Sequence, residues 1–236
     1  MQKRKKMKIL ETDRRLLEVR SAEERVAWIL QHCGGRAIVS TSFGIQSAVL
    51  LHMVAAQRPD VPVVFIDTGF LFDETYRFAA ELEQQLGLNV RVYKPALSPQ
   101  QLVESHGELW AAGEDGLAQY NQIVKVEPMQ RAIKELRPLA WLSGVRRLQA
   151  SSRSNRPVSD EQWGVAKMYP LIDWTDRDVY RYLKKHDLSY HPLWEQGYVS
   201  VGDYHSSKPL TAGADHEATR FGGTKRECGL HQENAK

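Results

Sequence analysis

The chain has 236 residues, 42% hydrophobic and 26% charged, with a formal net charge of +3; this is enough for a full core, and no apolar stretch is long enough to span a membrane. Five of the basic residues, Lys3, Arg4, Lys5, Lys6 and Lys8, precede the first expected helix, and the remainder is slightly outnumbered by acidic residues, which argues against a protein that binds duplex nucleic acid by charge. The basic start has no apolar run after it, so no secretory signal is expected and the cytoplasm is the expected location.

Residues 1–10 are read as a solvated, disordered basic tip. Residues 11–32 carry Leu16, Val19, Val26, Ile29 and Leu30 at helical spacing and read as one amphipathic helix closed by Gly34-Gly35. Cys33 continues the apolar side and reads as a buried small hydrophobe. Ala37-Ile38-Val39 is a short buried strand, and residues 48–56 are apolar on nearly every helical face. Between them lie Ser40, Thr41, Ser42, Phe43, Gly44, Ile45, Gln46 and Ser47. Hydroxyls and a glycine between a strand and a helix make a phosphate cradle, because backbone can approach the ligand and first-turn amides point at it. On the loop alone, a strand–turn–helix corner with no ligand stays equally open. The loop is neither GxxxxGK[ST] nor GxGxxG, so standard P-loop and dinucleotide readings lose support.

Residues 61–66 form a β-branched run ending in Asp67-Thr68-Gly69. Polar residues just past the carboxyl end of a parallel strand are where ligand sites form in such sheets. A helix from Asp73, closed by Gly87, and a strand at 90–93 follow. Residues 97–137 read as mostly helical, broken near Gly113 and Gly116, with Pro128 in a first helical turn. A fourth strand at 139–142 ends in Ser143-Gly144, followed by Arg146, Arg147, Arg153 and Arg156. A fifth strand is expected at 166–172, then a helix capped at Thr175. Alternating strands and helices predict an α/β fold: a mostly parallel twisted sheet with helices on both faces, spanning 11–190 as a nucleotide-binding domain.

From residue 191 the periodicity stops and glycines recur, so 191–236 reads as a C-terminal tail that is functional or disordered. Cys228 lies in it beside Lys225, Arg226, Glu227 and His231. Neighbouring cations favour thiolate. Lowering its pKa from about 8.5 to about 6.5 would raise the thiolate fraction at pH 7 about 25-fold. The accompanying loss of nucleophilicity takes back about 8-fold, so the cations serve better to hold an anionic substrate. A zinc role for Cys228 with His231, His216 and His205 lacks a structural zinc pattern.

The segments 42–47, Asp67-Thr68-Gly69, Lys125-Val126-Glu127-Pro128, Gly144-Val145-Arg146-Arg147 and Lys225-Arg226-Glu227-Cys228-Gly229-Leu230-His231 resemble, in that order, the sulfonucleotide reductases, over about residues 36–231. The resemblance implies an adenine-nucleotide α-hydrolase-like fold with a modified pyrophosphatase loop. It implies phosphoadenosine phosphosulfate (PAPS) or adenylyl sulfate (APS) as substrate, with Ser40, Ser42, Phe43, Gly44, Gln46, Ser47, Asp67, Thr68, Gly69, Lys125, Arg146, Arg147, Arg153, Lys225, Arg226 and His231 binding it. Cys228 would attack the sulfur to give an S-sulfocysteine, and thioredoxin or glutaredoxin would free sulfite. APS reductases carry four further cysteines for a four-iron cluster. Here the corresponding regions read Tyr120-Asn121-Gln122-Ile123-Val124 and Gly202-Asp203-Tyr204-His205-Ser206, so the PAPS-specific, cluster-free branch is implied, with no bound cofactor. Family members are commonly homodimers. Two rivals remain: a pyrophosphatase-loop ATP enzyme, disfavoured by Phe43 and Gln46 in place of Gly and Asp, and a non-catalytic nucleotide-binding module.

Overall fold

The computed structural model describes residues 7–211 together with Thr219, Arg220 and Leu230. Two short helices open it, α1 (Glu11–Glu18) and α2 (Ala22–His32), where one was expected. The break has two causes. Ser21 and Glu24 form a capping box that starts α2 afresh. The buried Arg25 then caps the end of α1, donating to the carbonyls of Leu17 (2.8 Å) and Glu18 (3.0 Å). Met7 and Ile9 pack against the core, so the basic tip is already anchored before residue 10; residues 1–6 lie outside the described residues.

The sheet contains β1 (Ala37–Thr41), β2 (Pro62–Ile66), β3 (Asn89–Tyr93), β4 (Ala140–Ser143), β5 (Ser159–Gln162) and β6 (Val165–Met168) in the order β3-β2-β1-β4-β6-β5. All neighbours are parallel except β5 with β6. The expected fifth strand is thus β6, ending at Met168 rather than 172. Its antiparallel partner β5 reads Ser-Asp-Glu-Gln and carries no strand signal. The side-chain period of two splits each strand between layers. Val39, Val63, Phe65 and Leu142 face a core built with α2, α3 (Ala48–Ala55), α4 (Asp73–Leu86) and α8 (Asp176–Lys185). Ile38, Val64, Ile66 and Trp141 face a second core under α7 (Glu127–Leu136).

Between β3 and α7 lie α5 (Pro99–His106), α6 (Gly113–Asn121) and a π-helical turn, Gln122–Val126. Gly116 does not break the chain, contrary to expectation. It sits inside α6, where a Cβ would lie 2.6 Å from the Leu109 carbonyl. Pro128 has no N–H for the carbonyl of Val124, so the helical ladder is interrupted where the π turn stands. No break in packing occurs at residue 190. His191 and Asp203 are buried, and the His191 amide donates to the Ile45 carbonyl (3.2 Å). Leu71 and Asp203 form a β-bridge. Apart from Thr219, Arg220 and Leu230, the chain beyond 211 lies outside the described residues.

Candidate functional site

β1 has β2 on one side and β4 on the other, so chain connections leave it in opposite directions. The crevice at the carboxyl ends of β1 and β4 is therefore the topological switch point where parallel sheets take ligands. Residues 42–47 form its floor. Phe43 is held at φ +47° with its side chain fully buried, its ring 4.9 Å from that of Phe65 in edge-to-face contact. A non-glycine residue in that region carries strain that packing must offset. Phe43 thus acts as a core plug that fixes the loop's path, with its ring in the core and its backbone in the crevice loop. Thr41 Oγ1 accepts from the Phe43 amide (2.9 Å). Ser40 Oγ accepts from Trp141 Nε1 (2.7 Å), while Ser42 is exposed. Ser47 precedes the first turn of α3 with a shielded hydroxyl that has no hydrogen-bond partner among the described residues, an unmet donor beside the helix N-terminus.

Arg146, just past β4, is buried and organised. It donates to Gln46 Oε1 (2.5 Å), Asp176 Oδ1 (2.7 Å) and the Trp174 carbonyl (3.1 Å). Gln46 also donates to Asp176 Oδ1 (3.1 Å). One guanidinium therefore ties the loop after β1 to the end of β4 and the start of α8. A fixed cation at the mouth of the crevice is what an anionic ligand requires, because its orientation needs no further ordering.

The end of β2 carries a second arrangement. Asp67 accepts from the Gly69 amide (3.0 Å) and Tyr76 hydroxyl (2.6 Å), and pairs with Lys94 (3.2 Å). Gly69 has φ +78°, and a Cβ there would stand 2.6 Å from Pro99 Cγ, so this turn admits only glycine without movement. Thr68 donates to Asp203 Oδ1 (2.5 Å), and Lys125 on the π turn lies 2.6 Å from Asp203 Oδ2. Burial alone would push the Asp203 carboxyl up. The charge of Lys125, with hydrogen bonds from Lys125 and Thr68, outweighs it and holds the group below the usual carboxylate range. His205 stacks on Trp110 (4.2 Å between ring centres) and contacts the Tyr120 hydroxyl (3.0 Å). Burial pushes its imidazole down to about 4.

The arginines after β4 divide. Arg147 turns away from Arg146, donating to both Glu18 carboxylate oxygens (3.2 and 3.0 Å) and to the Arg156 carbonyl (2.8 Å). It braces α1, and its placement gives no support to the ligand role expected for it. Arg153 is buried and donates to Gln149 Oε1 (2.8 Å). Arg156 lies against Tyr169 and Asp160. Cys228, Lys225, Arg226 and His231 lie outside the described residues. Sequence reasoning passed over Asp176, Tyr76 and Asp203. Only Asp176, in the Thr-Asp-Arg-Asp cap of α8, carried a local signal, and that was for a helix start. Among the described residues, no group of three or more His, Cys, Asp or Glu side chains is placed to hold a metal ion, and no helix is long and apolar enough to cross a membrane.

Residues 36–209 match the phosphoadenosine phosphosulfate reductase domain. The phosphoadenosine 5'-phosphosulfate reductase of Cronobacter sakazakii is 53% identical over 216 residues, covering 92% of this chain and 88% of its own. That of Vibrio parahaemolyticus is 51% identical over 218 residues, with 92% and 84% covered. The crystal structure of phosphoadenylyl-sulfate (PAPS) reductase from Candida auris, a phosphate complex, superposes with a TM-score of 0.74 at 30% identity, covering 86% of this chain and all of that one. An FMN adenylyltransferase of Candida glabrata, at 14% identity and a TM-score of 0.60 over 92% of this chain and 73% of its own, shares the fold. A domain match over most of the described chain, joined to relatives at this identity, decides the assignment: the chain belongs to the phosphoadenosine phosphosulfate reductase family.

Proposed function

We propose that this protein reduces PAPS to sulfite and adenosine 3',5'-bisphosphate in sulfate assimilation, with a thioredoxin-type dithiol protein as electron donor. The observation that carries the reading is the crevice between β1 and β4 with Arg146 fixed at its mouth, in a chain whose relatives at 53% and 51% identity are named for this reaction. The nucleotide sits over residues 42–47, with first-turn amides of α3, the Ser47 hydroxyl and Arg146 as donors to its phosphates.

The Cys228 thiolate attacks the sulfur of PAPS. The sulfur–oxygen bond to the nucleotide breaks, the nucleotide leaves as a phosphate, and Cys228 retains the sulfonate. A donor thiolate then attacks Cys228 Sγ and releases sulfite. The donor's second thiol resolves the mixed disulfide, so the donor supplies both electrons as it becomes a disulfide. Cys33 is buried, with its thiol against the Leu30 carbonyl (3.4 Å), so it is not placed as an accessible resolving thiol. Thioredoxin or glutaredoxin as that donor, the cytoplasmic location, the absence of a bound cluster and the homodimer belong to the same proposal.

The test mixes the protein with PAPS and no reductant and reads intact mass. A sulfonate on Cys228, absent in Cys228→Ser and discharged as sulfite by reduced thioredoxin, is expected. A wild-type protein that binds PAPS but acquires no adduct would falsify the mechanism. The same assay with APS tests the choice of nucleotide.

A further inference from the structure

Lys167 lies in β6 with no exposure to solvent, between the buried Ala166 and Met168. Its ammonium stands 3.6 Å from the centre of the Trp141 ring on neighbouring β4, where strand register pairs the two residues. It donates to Gln162 Oε1 (2.6 Å) and to the carbonyl of Leu230 (2.7 Å), 63 residues along the chain. The Leu230 side chain packs on the same cluster, which includes Ile38, Trp141 and Val165. Trp141 in turn donates from its indole nitrogen to Ser40, near the carboxyl end of β1 and two residues before the crevice loop (2.7 Å).

Burying an ammonium is costly, and an apolar residue of similar length would fill the space over Trp141 without that cost. A charge is useful here because one of its partners is a carbonyl on a segment distant in sequence. A cationic donor strengthens that hydrogen bond, and the indole face offsets part of the desolvation. We propose that Lys167 is a positioning residue for the reaction. With the Trp141 face it forms the docking point of the C-terminal arm, seizing the backbone at Leu230. Cys228 precedes Leu230 by two residues in the sequence, so whatever holds Leu230 limits how far the proposed nucleophile can stray from the Trp141 face. The inference rests on the proposed role of Cys228 as nucleophile. It adds the residue that brings the arm to the crevice.

The experiment follows adduct formation on Cys228 in a single turnover with PAPS and no reductant, for wild type, Lys167→Met and Leu230→Ala. Product-nucleotide binding is measured alongside by calorimetry. Losing one charge-assisted hydrogen bond, or its apolar companion, is expected to slow adduct formation about ten- to a hundredfold, with nucleotide binding held within about twofold. Both variants forming adduct at the wild-type rate overturns the proposal, as does a loss of nucleotide binding that matches the loss of rate. If Lys167→Met does not fold, Leu230→Ala decides: slowed with binding intact supports docking, and unchanged overturns it. A wild-type protein that forms no adduct refutes the parent reading instead, so the two failures are distinguishable.

Discussion

The buried pair between Lys125 and Asp203 offers the sharpest quantitative test. Asp203 is 1% exposed and Lys125 8%, so neither charge is well hydrated, and they stand 2.6 Å apart. Asp203→Asn keeps the shape and an acceptor for Thr68 but removes the charge. Breaking one side of a buried pair costs about 3–5 kcal/mol. Asn121 Oδ1 also accepts from Lys125 (3.2 Å), which places the expectation near the lower end, about 3 kcal/mol. Lys125→Met should cost a similar amount, and the double variant should recover about 2 kcal/mol, because the orphaned charge is then gone. The assay is urea unfolding of all four proteins at neutral pH. Acid supplies a check on sign. The Asp203 carboxyl is held below its ordinary value, so its contribution is present above the unfolded value and is lost as pH falls through the folded one; Asp203→Asn should lack that component. A single-variant cost below about 1 kcal/mol, or no recovery in the double variant, refutes the assignment of this pair as a structural tie.

Three further tests address the loops and the C-terminal third. Burial pushes the His191 imidazole down to about 4, so between pH 6.5 and that value the unfolded chain takes up a proton the native state refuses. Stability is lost as pH falls, by up to about 3 kcal/mol, and His191→Gln should flatten the slope of urea midpoint against pH; an unchanged slope overturns the assignment. Gly69→Ala meets both φ +78° and the Pro99 ring. It should cost about 1–3 kcal/mol and weaken nucleotide binding, read by melting and calorimetry; wild-type values in both would show that the turn tolerates a side chain. Arg147→Ala removes the half-exposed Glu18 pair and should cost about 0.5–1.5 kcal/mol while leaving turnover per folded molecule within about twofold. A tenfold fall in turnover would return Arg147 to the ligand site.

The parallel core was legible because buried strands announce themselves. Residues 61–66 and 139–142 are continuous apolar runs, and each ends in polar residues where the crevice lies. β5 was not legible, since Ser159, Asp160, Glu161 and Gln162 have no apolar period and pair only because β6 offers an edge. The break between α1 and α2 was legible in principle from Ser21-Ala22-Glu23-Glu24, a capping box that the longer helical period masked. At the site, Gln46 and Arg146 were found as residues but not as a pair, because their contact spans 100 positions. Phe43 and Arg147 stand within ligand-like motifs, yet their side chains are committed elsewhere, to the core and to Glu18. Lys167 gave no signal, since a lone lysine in a short strand reads as a solvated edge position until the third dimension places Trp141 and Leu230 around it.

The attachments of the C-terminal third differ in strength, and the order matters for the proposed chemistry. The stretch from His191 to Ser207 is held by a buried ion pair, by His191 between Thr75 (3.0 Å) and the Leu193 amide (3.2 Å), and by the Tyr204 amide on the Phe70 carbonyl (2.8 Å). Next come the Lys208 amide on the Thr219 carbonyl (3.0 Å) and the bridge between Ser207 and Arg220. Last is Leu230, held by one carbonyl on Lys167 and a partly buried side chain. A charge-assisted hydrogen bond and partial leucine burial together contribute about 2–4 kcal/mol, against about 3–5 kcal/mol for breaking the buried ion pair alone. The contact at Leu230 is therefore the weakest of these attachments, and those before Ser207 are the strongest. On the proposed mechanism the nucleophile meets a nucleotide in the crevice and then presents its adduct to a second protein. The strong attachments fix the chain up to Ser207, and the weaker one at Leu230 is the described contact nearest Cys228 in sequence. On this reading, strengthening the Leu230 contact speeds transfer of the sulfonate to Cys228 and slows its discharge, because a docked thiosulfonate is shielded from the incoming dithiol.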